Sequence, residues 1–179
     1  MMFAFPKTDP FTRRCAPVLL ALFAFFAAPA IAADLSQPTG RVVLTVDGAI
    51  GVTNAPGAAQ FDLAMLESLG TVVVETSTLW TRGVIRFEGV PLRALLDRLD
   101  IRTGQIQAIA ANDYGVAIPV SDAVDGGPII AFRRDGREMT VRGNGPLWII
   151  YPYDSNPDYQ TEAIYARSIW QLVRMTAKP

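Results

Sequence analysis

The 179-residue chain contains no histidine, and its single cysteine, Cys15, lies near the N-terminus. Beyond about Ala33 both residue types are missing. That stretch therefore excludes a Ser-His-Asp triad, a cysteine nucleophile, the usual zinc sites and any internal disulfide. Lysine is almost as scarce: past Lys7 there is only Lys178, at the tail, so a Ser-Lys hydrolase is hard to build. No glycine-rich phosphate loop of the P-loop or dinucleotide type is present. Asp122 and Asp125 stand beside Gly126 and Gly127, but without the spacing of a calcium loop. A basic excess is lacking too. Setting aside Lys7, Arg13, Arg14 and Asp9 leaves 13 basic and 16 acidic residues, a net of −3. That argues against a nucleic-acid partner or an anionic membrane surface.

What the N-terminus does have is the three-zone order of a cleavable export signal. Lys7, Arg13 and Arg14 form a basic region, and Val18 to Ala28 is an uncharged apolar run of 11 residues. Ala30-Ile31-Ala32 then supplies small residues for cleavage after Ala32 or Ala33. A membrane-spanning helix needs about 20 apolar residues; this run is shorter, and Pro29 closes it. The expectation is a signal peptide over residues 1–33, a periplasmic or secreted protein, and no membrane span after cleavage. Arg13-Arg14 raises the twin-arginine route, but Ala16 and Pro17 replace the bulky apolar residues that usually follow, which favours general secretion. Residues 34–179 then suit one domain with a full core.

Along that domain the pattern is mostly β. Arg41 to Gly48 reads as a strand ending in an Asp-Gly turn, and Gly51 to Ala59 as a loop. Asp62 is placed to cap a short helix through Leu69, with Gly70 as its stop. Thr71 to Thr76 and Val84 to Glu88 read as strands. Pro91 opens a helix whose Leu92, Leu95, Leu96 and Leu99 follow the i, i+3, i+4, i+7 rule. Gln105 to Ala111 and Val116 to Val120 flank a turn at Asn112 to Gly115. Ile129 to Arg133 and Glu138 to Val141 flank an Asp-Gly hairpin. Leu147 to Tyr151 and Ile169 to Met175 complete about seven strands and two short helices. The expected class is α+β, with a mixed, mainly antiparallel sheet.

Three segments carry more polar and aromatic detail than plain structure needs. Hydroxyls crowd Thr76-Ser77-Thr78-Leu79-Trp80-Thr81-Arg82 at a strand end, where small donors suit a polar or anionic ligand, or a hydrogen-bonded turn. Asn112-Asp113-Tyr114 forms the second, and Arg142 to Asp154 (RGNGPLWIIYPYD) the third. In the third, alternation sets Trp148 and Ile150 against Ile149 and Tyr151, with at least one face in the core. Glu75, Glu88, Asp113 and Glu162 are available as paired carboxylates for glycoside hydrolysis. Nothing in their spacing selects a pair, and the 12 arginines after residue 33 offer ordinary ion partners.

Four motifs in order carry a resemblance. Phe87-Glu88-Gly89-Val90-Pro91-Leu92-Arg93-Ala94-Leu95-Leu96 is followed by Ala111-Asn112-Asp113-Tyr114-Gly115-Val116-Ala117-Ile118-Pro119-Val120. Then come Asp135-Gly136-Arg137-Glu138-Met139 and Gly145-Pro146-Leu147-Trp148-Ile149-Ile150-Tyr151-Pro152. This order, across about Arg41 to Thr176, resembles the oxidoreductase molybdopterin-binding domain. That is the fold of sulfite oxidase, plant nitrate reductase and the periplasmic methionine-sulfoxide reductase catalytic subunit. Arg167 to Leu172 looks like the closing strand of a short exported subgroup.

The resemblance implies a sulfite-oxidase-like fold and a cleft in which relatives hold molybdenum through the pterin dithiolene and one cysteine thiolate. The counterpart of that cysteine falls within Thr76 to Trp80, where only Thr76, Ser77 and Thr78 offer oxygen, a harder donor than the thiolate. The first expectation is therefore a binding, sensory or accessory module with no cofactor. Its site would be the old pterin cleft, lined by Thr76, Ser77, Thr78, Trp80, Asn112, Asp113, Tyr114, Arg142 and Asn144. Its partner would be a small molecule or a periplasmic protein, with no metal. The alternatives are a molybdopterin-dependent oxidoreductase with a Ser/Thr ligand or none, and an enzyme of another class reusing the cleft.

Overall fold

β-Branched and aliphatic residues at alternating positions set most of the strands, and the computed structural model describes residues 1–2 and 35–179. The export signal expected over residues 1–33 lies outside the described residues. Residues 35–179 fall in one compact unit.

The first sheet has five strands: β1 (Leu44–Gly48), β2 (Ala58–Phe61), β5 (Gln105–Ala110), β6 (Gly115–Pro119) and β10 (Leu172–Lys178), in the order β2-β1-β10-β5-β6. β1 runs parallel to β10, and every other pair in this sheet is antiparallel. The second sheet is antiparallel throughout. It orders β3 (Val72–Ser77), β4 (Val84–Pro91), β7 (Ile129–Arg134) and β8 (Arg137–Glu138), and β9 (Trp148–Ile150) also pairs with β7. Among the described residues three short α-helices complete the set: α1 (Leu63–Ser68), α2 (Leu92–Arg98) and α3 (Glu162–Arg167). The architecture is α+β with one mixed and one antiparallel sheet.

Local chemistry explains the starts and stops. The Asp62 carboxylate accepts from the Met65 N–H to cap α1, and its other oxygen takes the Thr39 and Gly40 N–H groups. These bonds, the Met65 one foremost, hold its carboxyl below the ordinary value. One aspartate thus starts a helix and fastens the lead-in segment to it. The leucines of α2 at 92, 95, 96 and 99 are all buried, each contributing about 1.5–3 kcal/mol relative to exposure. In β4, a Cβ on Gly89 would meet the Ile130 carbonyl oxygen at 2.3 Å. Only glycine permits that approach, beside the register shift between Glu88 and Gly89.

Several boundaries differ from the sequence expectation. β1 starts at Leu44, not Arg41, and the expected loop after Gly51 yields β2 from Ala58. The strand expected over Glu138 to Val141 stops at Glu138; Val141–Gly143 turns as a 3₁₀ segment ending in left-handed Asn144. The closing strand begins at Leu172, because Glu162–Arg167 is helical and Ser168 to Trp170 crosses between the sheets. There the Ile149 N–H donates to the Ile169 carbonyl and the Leu172 N–H to the Leu147 carbonyl, joining β9 to the start of β10. With elements on both sides, Trp148, Ile149, Ile150 and Tyr151 are all buried, so alternation gives no solvent face here. Among the described residues no helix is long and apolar enough to cross a membrane.

Candidate functional site

Aromatic residues gather where the sheets are joined. Six of the eight tyrosines and tryptophans fall between Trp148 and Trp170 in sequence. Trp148 and Tyr153 form a buried floor: the Trp148 Nε1–H donates to the Ser168 carbonyl (3.1 Å) and the Tyr153 hydroxyl to Ser168 Oγ (2.6 Å). Burial pushes the Tyr153 hydroxyl up to about 12. Trp80, carried by the β3–β4 loop, lies over this floor. Its ring centroid is 5.8 Å from Trp148, 6.5 Å from Tyr153, 6.0 Å from Tyr165 and 5.6 Å from Trp170. Trp80 and Trp170 nevertheless remain 37% exposed, and Tyr114 is 55% exposed.

These rings border a groove of about 480 Å³ between the β3–β4 loop, the β5–β6 turn and α3. Trp80, Asn112, Tyr114, Glu162, Tyr165 and Trp170 line it, with Ala110, Ala166, Ser168 and Ile169. No arginine or lysine is among them. Asn112 Oδ1 accepts from the Tyr114 N–H (3.2 Å) and holds the turn that carries both side chains. Glu162 opens α3 behind its cap, where Thr161 Oγ1 accepts from the Ile164 N–H, and a carboxylate suits that helix end. Among the described residues Glu162 forms no ion pair.

The far end of α3 is fixed from below. Arg167 Nη1 donates to Asp122 Oδ2 (2.9 Å), and the buried Tyr151 hydroxyl donates to the same oxygen (2.7 Å). Burial, then the Asp122 bond, drives the Tyr151 hydroxyl well above its ordinary value. Asp122 is thus part of a structural junction, not of a cation loop.

Of the nine residues expected to share one cleft, the structure brings Trp80, Asn112 and Tyr114 together and leaves six elsewhere. Thr76 is buried; its hydroxyl donates to the Ser77 carbonyl (3.2 Å) and accepts from the Asp154 N–H (3.1 Å). Ser77 gives both its N–H and its hydroxyl to the Asp154 carboxylate, each at 2.6 Å. Those bonds hold the Asp154 carboxyl below its ordinary value. Thr78 Oγ1 pairs with Thr81 Oγ1 (2.8 Å) and accepts from the Trp80 N–H (3.1 Å), shaping the loop. Asp113, at φ 62°, faces a different hollow beside Thr45, Asp47 and Arg174. Arg142 and Asn144 lie on the turn after β8. There the Asn144 carbonyl accepts from the Gln171 N–H, and the cis Gly145–Pro146 peptide follows.

Sequence reasoning named Glu162 only as a loose carboxylate and missed Tyr165 and Trp170 as site residues. The aromatic density of the last third and the Thr161-Glu162 helix start were the signals that pointed to them.

The donor set does not fit the molybdopterin that the resemblance implies. Where the resemblance would put the thiolate, each hydroxyl already has intramolecular partners, and the Asp154 carboxylate beside Ser77 opposes an anionic dithiolene or phosphate. The groove offers no cationic side chain to a phosphate. No model of a known protein family matches the chain, and no curated protein matches it.

Proposed function

We propose that this protein is an exported, short member of the molybdopterin-oxidoreductase fold. In this reading it serves as a periplasmic or secreted binding, sensory or accessory module without a cysteine-ligated molybdenum centre. The reading takes the sulfite-oxidase-like fold from the order of the four motifs, and an α+β domain with a mixed and an antiparallel sheet is compatible with it. Export rests on the three-zone N-terminus.

The single observation that carries the binding role is the groove at the sheet junction. Trp80, Asn112 and Tyr114, from two segments that stood out in the sequence, meet there around about 480 Å³ of largely apolar space. Pockets of this size with a few convergent polar groups are where small molecules bind. The competing molybdenum reading takes Thr76, Ser77 or Thr78 as ligand or none from the protein; the first form is disfavoured because their hydroxyls are engaged within the chain.

Metal analysis and an absorption spectrum of protein purified from its own periplasm test the first part. Stoichiometric molybdenum with pterin would overturn the proposal, as would recovery of the protein only in the cytoplasm. A thermal-shift screen of small molecules tests the second. A stabilising compound should lose its effect in Trp80→Ala and keep it in Ser77→Ala, whose side chain is off the groove. Stabilisation that survives Trp80→Ala would place the binding site elsewhere.

A further inference from the structure

We infer that the groove takes a small organic cation of the quaternary-ammonium class. This rests on the proposal that the groove binds a small molecule, though not on kinship with molybdopterin enzymes. The first ground is ring geometry. Trp80 meets Trp170 at 72° and Tyr165 at 86°. Rings at steep mutual angles make a corner that encloses a compact, rounded group. A flat ligand such as a pterin or a sugar instead needs one ring offered as an open platform.

The second ground is charge. Glu162 brings a carboxylate without an ion pair among the described residues, and no arginine or lysine lines the groove. Aromatic faces attract cations, tryptophan most strongly, and the attraction grows as the cation sheds water. An anion would meet the like charge of the glutamate with no arginine or lysine in the lining to offset it.

The third ground separates a methylated ammonium from a primary one. A primary ammonium carries three N–H donors and needs an acceptor for each. The groove's one carboxylate is Glu162, and most of its lining is ring and aliphatic carbon, which a shell of methyl groups matches better than three N–H donors do. A quaternary nitrogen has no N–H to satisfy, so carbon contacts to the rings and one carboxylate suffice.

The test is calorimetric titration of the full protein with choline, tetramethylammonium and dimethylbutanol, the uncharged carbon isostere of choline. Choline and tetramethylammonium are expected to bind, with the isostere about tenfold weaker, the combined effect of cation–π contact at partly exposed rings and the Glu162 charge. Glu162→Gln should weaken choline roughly fivefold and leave the isostere unchanged, a size typical of one exposed charge pair. Trp80→Ala should abolish both.

Equal binding of choline and the isostere, unmoved by Glu162→Gln, would overturn the cation inference while the groove stands as a binding site. Choline binding unchanged in both variants would overturn the site as well. No binding of any of the three compounds overturns this inference alone, because the screen with Trp80→Ala judges the site independently. The comparison of choline with its isostere uses the unmodified protein, so it holds even if a variant fails to fold.

Discussion

Removing the Asp122 carboxylate should destabilise the protein far more than removing the Tyr151 hydroxyl that it holds. Asp122 Oδ2 is shared: it accepts from the Tyr151 hydroxyl at 2.7 Å and from Arg167 at 2.9 Å. In Tyr151→Phe the aspartate keeps its arginine, and the loss is one hydrogen bond to a charged acceptor, about 1.5 kcal/mol. In Asp122→Ala a fully buried hydroxyl is left without an acceptor, costing about 1–3 kcal/mol. The pair with Arg167, whose side chain is 26% exposed, goes as well, at up to about 1 kcal/mol after solvent screening. The total is about 3 kcal/mol, or roughly a 9 °C fall in Tm for a domain of this length.

The double variant is the sharper measurement. With the hydroxyl gone, Asp122→Ala no longer strands a buried donor, so the pair should cost about 2 kcal/mol less than the sum of the singles. Urea unfolding followed by far-UV circular dichroism gives all three values. Asp122→Ala within 0.5 kcal/mol of the unmodified protein (a limit of about ordinary surface-substitution size), or strictly additive costs, would refute the reasoning. Because Arg167 ends α3, amide exchange in that helix should also quicken in Asp122→Ala.

Burial holds the Tyr153 pKa up at about 12 and Tyr151 higher still, so both stay protonated in the fold when the unfolded chain releases its protons near pH 10. Stability should therefore be intact below pH 10 and fall by about 1.4 kcal/mol per pH unit per tyrosine up to about pH 12; Tyr153→Phe should halve that slope in urea titrations. Asp62 and Asp154 have carboxyls held below 3.8, so their stabilisation is present above pH 3.8 and lost as pH falls through the lowered values. Acid unfolding of Asp62→Asn and of Asp154→Asn should show a shallower pH dependence than the unmodified protein, and an unchanged profile would contradict both assignments. Gly89→Ala drives a Cβ against the Ile130 carbonyl oxygen and should cost about 1–3 kcal/mol in chemical denaturation; a neutral result would mean that β4 and β7 part easily there.

Local signals placed what local chemistry builds. The four leucines of α2, the Asp62 cap, and the turns at Asn112 to Gly115 and Asp135-Gly136 all lie where spacing and turn residues put them. The misses have physical reasons. β2 is Ala-Ala-Gln-Phe, weak in β-forming residues, and it pairs because β1 offers an edge and Ala59 and Phe61 are buried against the core. α3 has six residues and a single buried one, Ile164, too short for a helical period to emerge. β9 defeats alternation because it is covered on both faces.

The site divides along the same line. Thr76 and Ser77 read as hydroxyls for a ligand or for a local turn, yet Asp154 engages both from 77 and 78 residues further along the chain. No local pattern announces that bond. Trp80 stands in one of the three segments with more polar and aromatic detail than structure needs, whereas its four ring neighbours come from the β9 region, α3 and the crossing segment.

The crossing segment accounts for the position of the groove. Ser168 to Trp170 must pass from α3 to β10 while the Ile169 carbonyl accepts from the Ile149 N–H of β9 and Trp170 bridges Trp148, so the chain there lies close to both sheets. Trp148 and Tyr153 fill the space beneath it and satisfy their polar atoms on Ser168. Trp80 and Trp170 lie against Trp148, at 5.8 and 6.1 Å, and still keep 37% of their surface in water. Covering the floor accounts for one side of each ring. The remainder, set at a steep angle beside a carboxylate with no ion pair among the described residues, is left open to a ligand.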